Sequence, residues 1–303
     1  MHMVSKSSSM RDSRFDKGVY CVNYILLSIF MLLVLYPLVY VISCSFSSGD
    51  ALVNGRVVLF PVDPTLEGYR AIMQYSSVWT GMLNSLIYTV TGSLLGVTLT
   101  LLAAYPLAQP SLKGKRPLMG LFLFTMLFNG GLIPNYMLVM KLGLLDTIWS
   151  LILPGAVSAY NVIVARTYIM TSIPRELHES ADLDGCGEFR FLWSIVLPLS
   201  KPILAVLVLW IAVGIWNSYF MPMIYLNSED KYPIQLVLRQ ILLMSTVDYS
   251  KALSDPELYY RNKNLSEILR YGTIIISSLP LMILYPFIQK YFVQGVMIGS
   301  VKG

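Results

Sequence analysis

Few side chains of this 303-residue sequence have the type and spacing that catalysis or metal binding needs. The two histidines, His2 and His178, have no ligand-spaced companion, so the sequence predicts no metal site. The only Gly-Lys pair, Gly114-Lys115, lacks both the earlier glycine and the following hydroxyl of a phosphate-binding loop. We therefore expect a chain that is not an enzyme and holds no cofactor of its own.

One short charged segment, Ile173 to Gly185, has the pattern of an amphipathic helix. Pro174 suits the first helical turn and Gly185 suits a left-handed stop, so the helix is bounded at both ends. Ile173, Leu177 and Ala181 fall on one face, whereas the acidic residues fall elsewhere. About ten residues are too few for an isolated helix to be stable in water, so this helix has to dock on something.

A second helical pattern follows the glycine, with apolar residues at i, i+3, i+4 and i+7. These residues are Phe189, Leu192, Trp193 and Val196. The segment is thus a helix, a glycine break and a second helix, and two interpretations of it stay open. It is either a helical hairpin that merely connects two spans or a surface on which a partner docks.

Composition indicates what the remaining elements are. Hydrophobic residues make up 55% of the chain and charged residues 13%, with a mean hydropathy of +0.63, whereas soluble domains carry about 25% charged residues. Charged residues are absent from six stretches that are each long enough to cross about 30 Å of hydrocarbon as a helix. These stretches are Gly18 to Gly49, Ala71 to Leu112, Pro117 to Met140, Thr147 to Ala165, Pro202 to Ser228 and Tyr271 to Gln289. The sequence predicts an all-α, polytopic membrane protein with six transmembrane helices.

The basic residues predict the orientation of these helices. They cluster before the first span, between the second and third, and around the link from the fourth to the fifth. The clusters are Lys6, Arg11, Arg14 and Lys17; Lys113, Lys115 and Arg116; and Arg166, Arg175, Arg190 and Lys201. The positive-inside rule then places both termini and the charged helix in the cytoplasm.

One pair of small residues and one helix break stand out inside the spans. Gly92 and Gly96 have the spacing that lets another helix approach closely, although glycine is also common in membrane helices. The run Asn129 to Pro134 cannot continue a regular helix, because two glycines relax the backbone and Pro134 removes a donor. It is either a helix end at the outer surface or part of a pathway through the membrane.

Four polar or aromatic residues in or near the spans are candidates for substrate contact: Asn161, Trp216, Asn217 and Tyr219. An aromatic face beside hydrogen-bonding groups suits a sugar, but aromatic residues near membrane interfaces are also common anchors. Asn84, Asn161 and Asn217 are equally well explained by hydrogen bonds between helices, worth about 0.6 to 2 kcal/mol each. Both interpretations stay open.

The charged segment also carries a resemblance. Glu179-Ser180-Ala181, then Gly185 after three residues, then Ile195 and Leu197-Pro198 after nine more, resembles the EAA loop of type I ABC importer permeases. Every interval matches, and Ser180 alone departs, since it stands where the family has alanine. The chain is similar to the carbohydrate-uptake branch of that family, which includes a maltose transporter permease.

The resemblance implies a fold, a function and a set of partners. The fold is that of a type I ABC importer permease, and the function is ATP-driven import of a carbohydrate, specifically an oligosaccharide. Implied partners are a second homologous permease, two ATP-binding cassette subunits that bind ATP and Mg, an extracytoplasmic solute-binding protein, membrane lipid and the carbohydrate, with no nucleic acid. Implied contacts to the ATPase are Glu179, Ser180, Ala181, Asp184, Gly185, Ile195, Leu197 and Pro198. The implied location is the bacterial plasma (inner) membrane.

The end of the chain, from Phe292 to Gly303, is similar to the tail of the maltose transporter permease. The resemblance assigns it to the ATPase interface through Gln294, Gly295, Gly299, Lys302 and Gly303. It also implies four segments: a cytoplasmic segment 1–18, a first helix and external loop 19–78, the transmembrane domain 79–291 with the coupling helix 174–185, and the tail 292–303.

Two other functions are compatible with a chain of this composition. A secondary transporter would usually place ionisable residues at membrane depth, and the six stretches have none. A membrane scaffold would use its asparagines only to join helices. Neither alternative explains the charged helix as well as docking on a partner does.

Overall fold

The computed structural model describes residues 14–244 and 256–300. Every regular element in these two ranges is helical. The first seven helices are α1 (Arg14–Ser45), α2 (Gly49–Val53), α3 (Glu67–Gln74), α4 (Ser76–Ala108), α5 (Lys115–Leu127), α6 (Leu132–Lys141) and α7 (Trp149–Ile152). The others are α8 (Ala159–Ser172), α9 (Arg175–Leu183), α10 (Glu188–Phe191), α11 (Leu197–Leu199), α12 (Lys201–Trp216), α13 (Phe220–Tyr225), α14 (Ile234–Met244) and α15 (Pro256–Ser300). The all-α prediction is confirmed.

Helix α4 is the centre of the bundle and packs against α8, α12 and α14. Gly92 and Gly96 face α12, where a Cβ at Gly92 would lie 2.4 Å from Cδ1 of Ile215 and one at Gly96 would lie 3.1 Å from Cδ1 of Ile211. The small residues therefore allow a close helix approach, as their spacing predicted.

Helix α15 completes the bundle by packing against α1, α2, α3, α12 and α14. The buried indole of Trp216, at the end of α12, donates a hydrogen bond of 2.9 Å from Nε1 to the carbonyl of Ser277 in α15. In contrast, every residue of α1 from Phe15 to Val39 is exposed, and α5 buries none of its residues. These apolar surfaces are available to lipid or to another membrane protein.

Three helical segments are long and apolar enough to cross a membrane: Phe15–Ser45, Ser76–Ala108 and Tyr259–Pro286. Two bent pairs raise this number to five if each pair is one span. Helices α5 and α6 form one pair, bent by 112°, and the segments Glu188–Leu199 and Lys201–Trp216 form the other, bent by 82°. The predicted count of six is compatible with these helices and stays a prediction.

Two charge-free stretches are less regular than the sequence predicted. The fourth stretch, Thr147 to Ala165, is interrupted by a 3-10 turn at Leu153–Gly155, because Pro154 has no N–H to continue the helix. The helix of the fifth stretch, Pro202 to Ser228, ends at Trp216, and a second helix, α13, follows it. The predicted break in the third span is confirmed, since α5 ends at Leu127 and Pro134 lies in the first turn of α6, where no donor is needed.

Candidate functional site

Helix α9 has well-defined ends. Pro174 precedes it with extended backbone angles, and Gly185 follows it with φ of +72°, so the proline lies one position earlier than predicted. The amide of Gly185 donates to the carbonyl of Asp182 at 3.0 Å, and that of Cys186 donates to the carbonyl of Ala181 at 2.9 Å. These two bonds form a Schellman motif, which favours glycine because its backbone is left-handed. No atom lies within 4 Å of a Cβ built at Gly185, so the backbone conformation alone requires the glycine.

One face of α9 packs on the bundle. Ala181 is buried in the same apolar cluster as Phe191, Leu192 and the end of α4, with Ile173 packed against it. A small cavity of about 70 Å³ remains beneath the start of the helix, between α9 and α8. The docking face predicted from Ile173, Leu177 and Ala181 is therefore used within the chain itself, although Leu177 stays 40% exposed.

The opposite face of α9 is open. Glu176, Glu179 and Leu183 lie on it at i, i+3 and i+7 spacing. Leu183 is 90% exposed, and Glu179 has no ion-pair partner within the part of the chain that the structure describes. The sequence analysis singled out Glu179 but missed Leu183, whose signal is a leucine on the polar face of an amphipathic helix.

The other predicted loop residues lie close to α9. Ser180 turns its hydroxyl back to the carbonyl of Glu176 at 2.8 Å, so it takes alanine's place without an unsatisfied group. Asp184 is the C-cap residue of α9. Ile195 is half-buried within a π-helical turn at Leu192–Val196, and after that turn Leu197 is half-buried and Pro198 is exposed.

The π-helical turn changes which residues of the second helix are buried. Phe191, Leu192 and Val196 are buried, whereas Phe189 is 68% and Trp193 54% exposed. The predicted face of Phe189, Leu192, Trp193 and Val196 is thus wrong at two positions. A turn that closes at i+5 places Phe191 and Val196 on the same side, which the ordinary 3.6-residue period does not.

A polar cluster joins α9 to α4 through Glu188. The ring of His178 has Nδ1 3.1 Å from Oδ2 of Asp182 and Nε2 3.3 Å from Oε1 of Glu188. The hydroxyl of Tyr105, near the end of α4, donates to the same Glu188. His178 also stacks edge-on to Phe191, with ring centroids 4.7 Å apart. We call His178, Glu188 and Tyr105 the Glu188 cluster; through Glu188 of α10 it connects α9 to the central helix α4.

The four candidate substrate residues do not form one site. Trp216 is buried against Ser277, and Asn161 is buried within α8. Asn217 is exposed and donates to the carbonyl of Val213 in its own helix. Tyr219 is 46% exposed, and the guanidinium of Arg239 lies over its ring at 5.7 Å from the centroid.

A second polar cluster lies towards the other end of α4. We call Asp146, Ser228, Asp230 and Lys231 the Asp146 clasp. Asp146 accepts from Lys231 Nζ at 2.6 Å and from the Ser228 hydroxyl at 2.6 Å. Tyr88 and Asn84 of α4 donate to the carbonyls of Lys231 and Asp230 at 2.8 and 2.7 Å. The clasp therefore joins the α6–α7 loop to the α13–α14 loop and fixes both to α4. Beside it, α4, α12 and α13 enclose a cavity of about 190 Å³ lined by Ser85, Tyr88 and Gly214, among others.

The structure describes only some of the residues predicted to contact the ATPase through the tail. Gln294, Gly295 and Gly299 lie in the last turns of α15. Lys302 and Gly303 lie outside the described residues. The role assigned to this tail stays a prediction.

Comparisons with known proteins identify the family. A model described as "binding-protein-dependent transport system inner membrane component" matches residues 4–298. Protein LplC of Bacillus subtilis (strain 168) is 40% identical over 272 residues, covering 88% of this chain and 89% of LplC. The polygalacturonan/rhamnogalacturonan transport system permease protein YtcP of the same organism is 37% identical over 294 residues, covering 97% of this chain and 100% of YtcP.

A solved structure extends the likeness to three dimensions. It is described as a bacterial ABC transporter involved in the import of the acidic polysaccharide alginate, and one of its chains is 36% identical to this one. The match covers 94% of this chain and 100% of that chain, with a TM-score of 0.85. The resemblance carried by the EAA-like loop is thereby confirmed. The chain belongs to the family of binding-protein-dependent transport system inner membrane components, as a membrane permease of an ABC importer that works with ATP-binding cassette components and a binding protein.

Proposed function

We propose that this chain is one of two permease subunits through which a bacterial inner-membrane importer takes up an oligosaccharide. Two ATPase subunits on the cytoplasmic side would bind ATP and Mg and supply the energy, and a binding protein would deliver the sugar from outside. Relatives named for transport of polygalacturonan/rhamnogalacturonan and arabinooligosaccharides support a carbohydrate substrate. The exposed apolar surfaces of α1 and α5 leave room for lipid and for the second permease.

The open face of α9 is the observation that carries this proposal. The Glu179 carboxylate, which has no ion-pair partner among the described residues, and a leucine with 90% of its surface exposed lie on one side of a short helix, whose other side is packed on the bundle. A carboxylate and a neighbouring leucine that are both desolvated in a complementary groove contribute strongly to docking. In this role α9 is the coupling helix, Glu179 contacts a basic group of the ATPase and Leu183 fills an apolar pocket.

The mechanism that follows is alternating access. ATP binding closes the two ATPase subunits, α9 moves with the subunit that holds it, and the Glu188 cluster passes the displacement to α4. The permease pair then opens outward to receive the sugar. Both termini and the loops that carry the basic clusters lie in the cytoplasm in this arrangement.

The Glu179→Ala variant tests this role. We expect it to weaken binding of the ATPase subunits by about 2 kcal/mol or more, because truncating one member of a buried charge pair leaves the other uncompensated. Insertion and folding of the chain should not change, since Glu179 makes no ion pair with the described residues. Co-purification of the ATPase and sugar-stimulated ATP hydrolysis in proteoliposomes measure the two effects.

Glu67→Ala is the matched control, because it removes the same charge from an exposed position in α3, at the far end of α4. It should leave ATPase binding unchanged. Unaltered assembly and uptake in Glu179→Ala would contradict the proposed docking role. Sugar transport by the purified chain without any ATPase would instead favour a secondary transporter.

A further inference from the structure

Arg239 of α14 has an unusual environment for a half-buried arginine. Three arginines are half-buried in the described ranges, and two of them have polar acceptors. Arg166 donates to the carbonyl of Leu107 at 2.9 Å, and Arg270 forms an ion pair with Glu267 at 3.5 Å. Arg239 lies instead against the thioether of Met223 and the ring of Tyr219. No carboxylate of residues 14–244 or 256–300 forms an ion pair with it.

This environment favours an anion from outside the chain. A guanidinium has five donors in a planar fork that matches a carboxylate, and neither a thioether nor a ring face satisfies them. A partly desolvated cation without a counter-charge costs free energy that binding of an anion recovers. Lys231, in the loop before α14, has its own carboxylate, Asp146 at 2.6 Å, so it does not compete for the same ligand.

The ring beside Arg239 adds a second recognition element. Tyr219 remains 46% exposed although its ring contacts the guanidinium, and Phe220 and Met221 next to it are 44% and 41% exposed. The pair lies just beyond the end of α12, where the helix is interrupted. An exposed aromatic face binds the apolar face of a pyranose ring, while the adjacent cation binds a substituent that carries charge.

We propose that Arg239 and Tyr219 form a recognition site for a uronic acid residue, so that the imported oligosaccharide is acidic. This inference rests on the proposed function and adds its substrate class. The guanidinium binds the uronate carboxylate through two parallel hydrogen bonds, and Tyr219 supports the sugar ring. Asn161 and Trp216, which are buried in helix packing, have no part in this site.

The distance of this site from α9 fits a role in receiving substrate. Helix α14 packs near the start of α4, where Ser85 accepts the amide of Ile234 at 2.9 Å. The docking helix is linked through Glu188 to Tyr105, which lies twenty residues further along α4 than Ser85 and therefore about 30 Å away. This is roughly the thickness of the hydrocarbon core, so Arg239 lies at the membrane face opposite the ATPase.

The test uses the full importer in proteoliposomes with its binding protein and two probes, tri-galacturonate and its fully methyl-esterified form. The two probes have the same chain length but differ in charge. We expect tri-galacturonate to stimulate ATP hydrolysis at a lower concentration than the ester. In Arg239→Gln, the half-maximal concentration of tri-galacturonate should rise at least about tenfold, since hydrogen bonds to charged groups are strong. The value for the ester should change little.

Three further variants separate recognition from structure. Arg239→Lys should recover part of the preference because it keeps the charge but loses the fork. Arg239→Met keeps packing bulk without charge and should behave like Arg239→Gln. Arg56→Gln removes an exposed arginine that is already paired with Asp63 at 3.2 Å, and it should respond to both probes as wild type does.

The outcomes are distinguishable. If Arg239→Gln loses the response to both probes equally, or keeps the wild-type preference, Arg239 does not recognise the carboxylate and the inference is wrong, although oligosaccharide import stands. If neither probe nor a neutral oligosaccharide such as arabinotriose stimulates the wild-type importer, both the inference and the proposed function fail.

Discussion

At the residue scale, the pKa of the Asp146 carboxyl is determined by the hydrogen-bond donors around it. The Lys231 ammonium, with further donors from Ser228 and Asn227, holds the pKa of this carboxyl well below its usual range. Asp146 also has a left-handed backbone, with φ of 57°, which aspartate and asparagine tolerate better than other side chains. One residue therefore serves both the turn and the ion pair that joins two loops.

The Asp146→Asn variant isolates the contribution of the charge, because asparagine keeps the shape and tolerates the left-handed backbone. We expect it to lower the melting temperature of the purified complex at pH 7. A folded pKa below the unfolded value of about 3.9 means that the stabilisation is present at higher pH and is lost as the pH falls below about 4. The difference between wild type and variant, followed by tryptophan fluorescence during heating, should be constant from about pH 7 to pH 5 and then shrink. An unchanged difference at pH 3 would contradict this assignment.

The residues that the sequence analysis missed have partners far away in the chain. Asp146 bonds to Lys231, 85 positions later, and Glu188 accepts from Tyr105, 83 positions earlier. Arg239 was given no role by the sequence pattern. No local spacing indicates such pairs, whereas Glu179 and Gly185 belong to one short motif and could be identified from it.

At the element scale, the ends of α9 could be predicted because they depend on nearby residues. Pro174 and Gly185 fix the backbone locally, and the structure places the helix between them. The second helix could not be predicted in the same way. Its π-helical turn at Leu192–Val196 exposes Trp193 and buries Phe191, and the packing against α4 and α8 that stabilises this turn is not visible in the local sequence.

The Glu188 cluster should transmit force between elements without being needed for docking. We expect Glu188→Ala to retain the ATPase subunits but to lose most of the sugar stimulation of ATP hydrolysis, because α9 no longer holds α4 through Tyr105. Tyr105→Phe should have a similar effect. Both changes break the hydrogen bond between Tyr105 and Glu188, and Glu188→Ala also removes the contact with His178. The double variant should therefore be little worse than Glu188→Ala alone, with a coupling energy of about 1 kcal/mol.

The two measurements are co-purification and the ratio of stimulated to basal hydrolysis in proteoliposomes. The Glu67→Ala variant again serves as the control for loss of a carboxylate. Fully additive effects of Glu188→Ala and Tyr105→Phe would show that the two side chains act separately.

The close contact of α4 with α12 leads to a prediction about packing. Gly92→Ala places a methyl group 2.4 Å from Cδ1 of Ile215, so the end of this side chain has to move aside. Overpacking costs stability, but the atom that has to move is the flexible end of a side chain and alanine favours a helix over glycine, so we expect a loss of at most about 1 kcal/mol. Ile215→Val removes that Cδ1 atom, so the double variant should recover most of the stability. Thermal unfolding in detergent measures all three, and failure of Ile215→Val to rescue would show that the strain lies elsewhere.

At the scale of the whole molecule, the lengths of the charge-free stretches indicated which segments could lie in the membrane. They did not indicate whether each stretch forms one continuous helix. The stretch Thr147 to Ala165 contains Pro154 and yields a short helix, a turn and α8, whose 14 residues span only about 21 Å. The all-α class and the family could be predicted because composition and a spaced motif suffice for them. The bend of 112° between α5 and α6 could not be predicted in this way, because the sequence indicates that a break occurs but not its angle.

Helix α4 carries an anchored cluster near each of its ends. The Glu188 cluster holds Tyr105, and the Asp146 clasp holds Asn84 and Tyr88. Because a continuous helix of 33 residues resists stretching, a shift at one anchor has to reappear at the other. We therefore expect the loop that carries Lys231 to change position when nucleotide binds to the ATPase subunits at the opposite membrane face. A binding protein in contact with this loop would respond to the nucleotide state of the ATPase without any further connection.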